Sequence, residues 1–193
     1  MAADAALLAE ALDLQPIGPL APGTLPMLAE RLSRRLHLPC HVLPDAALPL
    51  PRLSGRDQLD AAALLAGLES RAAAPHRRVV GVTAEDIALA IFTFVFGLAR
   101  QGGHACLVSL ARTDPGFYGL PSDADLRDRR AVAEILHELG HLATLDHCPD
   151  RGCLMSFAGT IEKVDTRGTR FCAPCTARLP AWLRDAPPFG DTP

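Results

Sequence analysis

Apolar residues at intervals of three and four mark the helices of this chain. Leu25, Leu28, Leu32 and Leu36 recur this way inside residues 23–36, the stripe expected of a helix docked on a core. Val132, Ile135, Leu136, Leu139 and Leu142 repeat the pattern. Ser122 and Asp125 stand just ahead of them with the spacing of a capping box, so a long helix is expected there. Residues 4–14 and 57–70 are rich in helix formers and read as two further helices. Short apolar runs bounded by Gly or charge read instead as strands: 38–43, 78–83 (RVVGVT), 92–96 (FTFVF) and 105–111 (ACLVSLA). After His147 no long periodic segment follows. Cys, Gly and Pro recur there at short intervals, which predicts an irregular, metal-tied lobe.

Composition narrows the class. With 193 residues the chain is the size of one ordinary domain and can bury a core without disulfide staples. It is 49% hydrophobic but only 5% aromatic, so the core should be mostly aliphatic. Nineteen basic against 22 acidic residues leave a net charge of -3. No cationic surplus collects a phosphate backbone, and nucleic acid is excluded as the expected partner. Arg127, Arg129 and Arg130 form the one dense basic spot and read as a solvated helix face. The most apolar stretch, 87–99, falls well short of the ~20 residues of a membrane-spanning helix and is expected in the core. No membrane partner is expected. Residues 1–14 carry Asp4, Glu10 and Asp13 without a basic leader, and do not read as a signal peptide. A cytoplasmic monomer is expected, with six cysteines serving as thiols or metal ligands rather than disulfides.

The chemistry concentrates in the long helix. In the run His137, Glu138, Leu139, Gly140, His141 the two histidines are four apart, so their imidazoles lie one turn above each other and can share one metal. Glu138 sits about 100° around the helix from His137, where its carboxylate can reach a metal-bound water without being a ligand. His147, six residues further on, can join only if the helix ends and the chain turns back. Three neutral imidazoles with an open fourth position suit a catalytic zinc that acidifies water and polarises a carbonyl. A His-Glu-x-x-His run arises by chance in about 1% of shuffled chains of this composition, and the third histidine makes chance rarer still. His37, His41, His76 and His104 lack partners at ligand spacing and read as surface or satisfied core residues.

Cys148 and Cys153 form one pair, and Cys172 with Cys175 forms a C-x-x-C. Together they give the paired pattern of a structural four-thiolate zinc site. Such a site would fold a C-terminal segment that lacks its own apolar periodicity. A redox C-x-x-C competes with this reading, but no strand leads clearly into a helix there. Cys40 and Cys106 read as buried thiols. Two zinc ions per chain are therefore expected, one catalytic and one structural.

The run from His137 to Cys175, HExxH followed by His147, Cys148, Cys153, Met155 and the C-x-x-C, resembles the signature of the archaemetzincin family of metallopeptidases. A weaker likeness extends upstream through QPIG at 15–18, GRDQ at 55–58, VVGVTAED at 79–86, FVFGLA at 94–99 and VSLAR at 108–112. The resemblance implies a metzincin-like α+β fold forming a single metallopeptidase domain over residues 1–193. An upper subdomain of about 1–144 would hold a mixed twisted sheet with helices and the active-site helix. A small irregular, zinc-tied lower subdomain of about 145–185 would close the cleft, followed by a Pro-rich tail at 186–193. Met155 would form a methionine turn beneath the metal. Residues 92–96 would be an edge strand above the cleft, placing Phe94, Val95, Phe96 and Gly97 along the substrate. Two departures stand out: Thr144 replaces the family's glycine, and sixteen rather than seventeen residues separate Met155 from Cys172.

The expected activity is peptide-bond hydrolysis with a metal-activated water and Glu138 as general base and then acid. A zinc-containing peptide-binding module of the same fold with weak or absent turnover is the alternative, for which Thr144 speaks and the intact histidine set does not. A four-cysteine adaptor for nucleic acid is disfavoured by the acidic net charge.

Overall fold

The computed structural model describes residues 11–72 and 77–184. Its centre is a five-stranded mixed sheet in the order β2-β1-β4-β7-β6. Strands β1 (Ala11–Pro16), β2 (Cys40–Val42), β4 (Arg77–Thr83) and β7 (Ala105–Ser109) pair in parallel, while β6 (Gly97–Ala99) runs antiparallel to β7 at one edge. A second, two-stranded sheet joins β3 (Leu59–Asp60) to β5 (Ile87–Ala88).

Helices cover both faces, giving an α+β architecture. Helices α1 (Thr24–Leu36) and α3 (Ala124–Leu142) bury their leucine stripes against Leu12, Leu14, Val80, Val82, Cys106 and Val108. The opposite face, with Val79, Ala105 and Leu107, receives Leu64, Leu65 and Leu68 of α2 (Ala61–Arg71). The core is aliphatic, as the composition predicts. Beyond α3 the described residues form only short helices, α4 (Ile161–Thr166), α5 (Ala173–Arg178) and α6 (Ala181–Arg184), none longer than six residues. Among the described residues no helix is long and apolar enough to cross a membrane.

Several local expectations are corrected. Residues 11–14 are strand rather than helix, because Leu12 and Leu14 alternate with Asp13 and Gln15 at the two-residue period of a sheet; residues 4–10 of that expectation lie outside the described residues, as do His76 and the 186–193 tail. The helix expected from 57 starts at Ala61, where the Asp60 carboxylate accepts the Ala62 and Ala63 N–H groups. At α3 the N-cap is Asp123, which accepts the Leu126 N–H at 2.9 Å, and not Ser122. The stretch 87–99 is only partly core: Ile87, Ala88 and Phe96 are buried, but Ile91 is 84% and Phe92 50% exposed. The basic cluster is not simply solvated. Arg130 is largely buried and donates to Asp165 at 2.7 and 2.6 Å, tying α3 to α4. Of the two lone cysteines, Cys106 is buried whereas Cys40 is half-buried.

Candidate active site

Helix α3 carries His137, Glu138 and His141 on its inner side and then stops abruptly. The Leu145 N–H donates to the Gly140 carbonyl and the Thr144 N–H to that of His141, both at 2.9 Å. This is the paired bonding of a Schellman turn, in which the residue past the cap takes left-handed backbone. That residue is Thr144, at φ 67. The turn expected between His141 and His147 is thus made with the threonine in a strained conformation. It brings the His147 ring to 4.9 Å from that of His141 and 5.3 Å from that of His137, centroid to centroid.

One nitrogen from each of the three rings falls in a group whose members all lie within 4.8 Å of one another. Tautomers sharpen the fit. The Leu154 carbonyl lies 2.8 Å from His137 Nδ1 and the Arg167 Nη1 3.3 Å from it. The carbonyl can only accept, and it is the closer, so Nδ1 carries the proton. His141 Nδ1 likewise donates to the Leu145 carbonyl at 2.7 Å. The two Nε2 lone pairs then face each other across 3.2 Å, an arrangement that repels unless a cation lies between them. Tetrahedral zinc ligands at ~2.0–2.1 Å place two nitrogens roughly 3.3 Å apart, so the donor set suits such an ion. Burial lowers the pKa of all three histidines, with Arg167 adding to the effect at His137 and His141 at His147. Each therefore favours the neutral, metal-binding form.

Glu138 is buried beside this cluster, under strand β6. A Cβ at Gly97 would stand 2.6 Å from its Oε1 and 2.8 Å from its Cγ, so the absent side chain there makes the room that the carboxylate occupies. Burial pushes the Glu138 carboxyl well above the usual range, the neighbouring Glu134 pushes it further, and Arg167 opposes. Glu134 and Arg167 form a buried pair at 2.7 Å. The sequence reading missed both. Glu134 left a signal, an acid on the buried stripe of α3 one turn before Glu138; Arg167 left none, being 33 residues away.

The cleft over the histidines has a volume of about 510 Å³. Phe94, Val95, Phe96 and Gly97 all line it, with Phe92 of the same expected strand, together with Leu89, Gln101, Asp146 and Phe157, which the sequence reading did not place at the cleft. The edge strand is displaced from its expected place. Residues 92–96 are irregular, with only Val95 bridging to Ile87, and the strand begins at Gly97. Two of its three aromatic side chains, Phe94 and Phe96, pack in an apolar cluster with Ile161 and Val164, while Phe92 stays half exposed.

Met155 is fully buried, and a Cβ at Gly140 would collide with its sulfur, so the helix glycine between the histidines admits the methionine. From there the chain enters the cysteine cluster, where the Cys148 N–H donates to the Met155 carbonyl at 2.9 Å. The four sulfurs of Cys148, Cys153, Cys172 and Cys175 lie within 4.8 Å of one another. Cys148 and Cys172 are 3.7 Å apart, too far for a disulfide but near the separation of two thiolates held at ~2.3 Å by one tetrahedral zinc. The Cys153 sulfur accepts the Met155 and Cys172 N–H groups, the amide bonding usual for a ligating thiolate. The Cys175 amide N–H draws the Cys172 thiol pKa down, while burial raises those of Cys153 and Cys175.

Comparison with known proteins identifies the family. The family model of peptidase family M54 matches residues 75–181. An archaemetzincin of Methanocaldococcus jannaschii is 35% identical over 167 residues, 86% of this chain and 90% of that protein. The crystal structure of a zinc-dependent peptidase from Methanocorpusculum labreanum superposes with a TM-score of 0.78 at 28% identity, covering 87% of this chain and 99% of the other. That of an archaemetzincin from Archaeoglobus fulgidus, complexed with malonate, gives 0.73 at 29% identity, covering 88% and 99%.

Proposed function

The chain belongs to peptidase family M54, the archaemetzincins, and is a zinc metallopeptidase; from that premise we propose that His137, His141 and His147 hold its catalytic zinc and that Glu138 is its general base. The observation that carries this reading is the convergence of three imidazole nitrogens beside a buried carboxylate on the floor of the cleft. Cys148, Cys153, Cys172 and Cys175 hold a second, structural zinc in the same reading, and Met155 is the methionine turn.

Zinc at the histidines supplies Lewis-acid chemistry, acidifying a water and polarising the scissile carbonyl. Glu138 takes the proton from the attacking water on its carboxylate and delivers it to the departing amine nitrogen. Burial, which raises its proton affinity, suits a group that must hold a proton between the two steps. The Nδ1–H groups of His137 and His141 stay on the Leu154 and Leu145 carbonyls and fix both rings. The substrate lies extended along the outer edge of β6 and pairs with its main chain. Its side chains meet the apolar walls formed by Phe92, Phe94, Val95 and Phe157. A cytoplasmic monomer with one domain divided near residue 144 completes the proposal, in keeping with six cysteines none of which is paired in a disulfide.

The test is metal content together with cleavage of a mixed peptide library. Two zinc ions per chain and cleavage that vanishes in Glu138→Ala while zinc remains are expected. Zinc-loaded protein that leaves the library intact would support the non-catalytic peptide-binding reading instead.

A further inference from the structure

The left-handed turn at Thr144 is gripped from outside by the hairpin that joins β6 to β7. The Gly102 N–H donates to the His141 carbonyl at 3.2 Å. Gln101 Nε2 donates to the Thr144 carbonyl at 3.2 Å and to Asp146 Oδ1 at 2.9 Å. Arg178 Nη2, from the end of α5, reaches the same Thr144 carbonyl at 3.2 Å. One primary amide thus holds both the carbonyl of the strained residue and the side chain directly before His147. A β-branched residue stays at φ 67 only where its surroundings over-determine it. The turn in question also presents the Leu145 carbonyl that orients His141.

Resting on the reading of His137, His141 and His147 as zinc ligands, we propose that Gln101 is a positioning residue for the catalytic metal, and that its task arises from the threonine at 144. Left to itself, a threonine there favours negative φ. That change would swing the Leu145 carbonyl off His141 Nδ1 and carry His147 away from the other two rings. Gln101 opposes it by holding the Thr144 carbonyl on one side of Leu145 and the Asp146 side chain on the other. A glycine at 144 takes left-handed backbone almost freely and needs no such grip.

The experiment is a double-mutant cycle on the full-length chain with wild type, Gln101→Ala, Thr144→Gly and the double variant. Each is loaded with zinc or cobalt(II) and titrated with a competing chelator. The nitrogen-ligated cobalt site is read by its ligand-field bands, and the thiolate site by its sulfur-to-metal charge-transfer bands. Gln101→Ala should weaken metal binding at the histidine site about tenfold, the low end of what loss of an outer-shell partner costs. The thiolate bands should not change, and they report that the variant is folded. In the Thr144→Gly background the same substitution should alter affinity by less than about twofold. Unchanged affinity in Gln101→Ala, or a tenfold loss in both backgrounds, would overturn the proposal. Wild-type protein lacking a nitrogen-ligated cobalt site would instead remove the metal reading beneath it.

Discussion

The histidine and cysteine clusters are neighbours in sequence, since His147 and Cys148 are adjacent, yet they are assembled in opposite ways. Two of the three histidines ride on a helix of 19 residues whose inner face is part of the main core. Their positions are set by packing and by carbonyls that hold each Nδ1. The four cysteines come from turns and from the start of a six-residue helix, elements too short to be stable by their own hydrogen bonding. Donors placed by a core leave a metal free to serve chemistry, whereas donors placed by loops need the metal to complete the fold. On the proposed ligand sets, the first zinc is one the fold can lose and the second is one it cannot.

The largest effect should fall on catalysis alone. Glu138→Gln keeps the shape of the side chain and removes its ability to take a proton, so kcat/KM on a cleaved peptide should drop by about 10²–10⁴-fold. Both zinc ions should remain, measured by metal analysis after gel filtration. Loss of zinc with activity would mean that Glu138 supports the histidine cluster structurally, and the contrast between the clusters would blur.

Next comes the direct comparison of the two centres by thermal unfolding. Cys153→Ser should lower Tm by on the order of 10 °C, because a structural site carries several kcal/mol of folding free energy and ~1 kcal/mol moves Tm by ~2–4 °C in a domain of this size. His141→Ala should abolish peptide cleavage with a clearly smaller fall in Tm. Equal falls would contradict the division between a core-built and a metal-built centre.

Gly97→Ala separates the base from the ligands within one site. The added methyl would stand 2.6 Å from Glu138 Oε1, 2.8 Å from its Cγ and 2.9 Å from its Cδ, so the whole buried side chain must shift to make room. Misplacing a catalytic group by ~1 Å costs about 10²-fold. We expect kcat to fall by about 10–10²-fold with zinc content unchanged and Tm within a few degrees of wild type. An unchanged kcat would show that Glu138 has room the cleft does not reveal.

What the sequence made readable follows the range over which local geometry acts. Four residues on a helix determine which side chains share a face, so His137, Glu138 and His141 were legible together. The cysteine spacing was legible because a four-thiolate site is specified by paired donors. Contacts that cross the fold were not: Arg167 reaches Glu134 over 33 residues and Gln101 reaches Thr144 over 43. Strand β1 was hidden because the Ala-rich residues before it extend a helical composition across an alternating pattern. The edge strand was placed too early because FTFVF has strand-forming side chains, whereas Gly97, which begins the strand, is there for the space that it leaves Glu138.

Thr144→Gly carries the smallest effect, and its sign depends on two opposed contributions. Holding a β-branched residue in left-handed backbone costs about 1–2 kcal/mol, which glycine would relieve. Glycine also gains freedom in the unfolded chain, which offsets about 0.4–1 kcal/mol of that relief. The Thr144 methyl contributes little in return, since the residue is exposed. The balance is stabilising by roughly 0.5–1 kcal/mol, or about 1–4 °C in Tm for a domain of this size. Calorimetry of zinc-loaded wild type and variant at the same pH measures it. A fall in Tm would mean that the threonine hydroxyl or methyl makes a contact worth more than the strain it brings. The turn between the two centres would then be a place where the sequence gained, rather than lost, by departing from glycine.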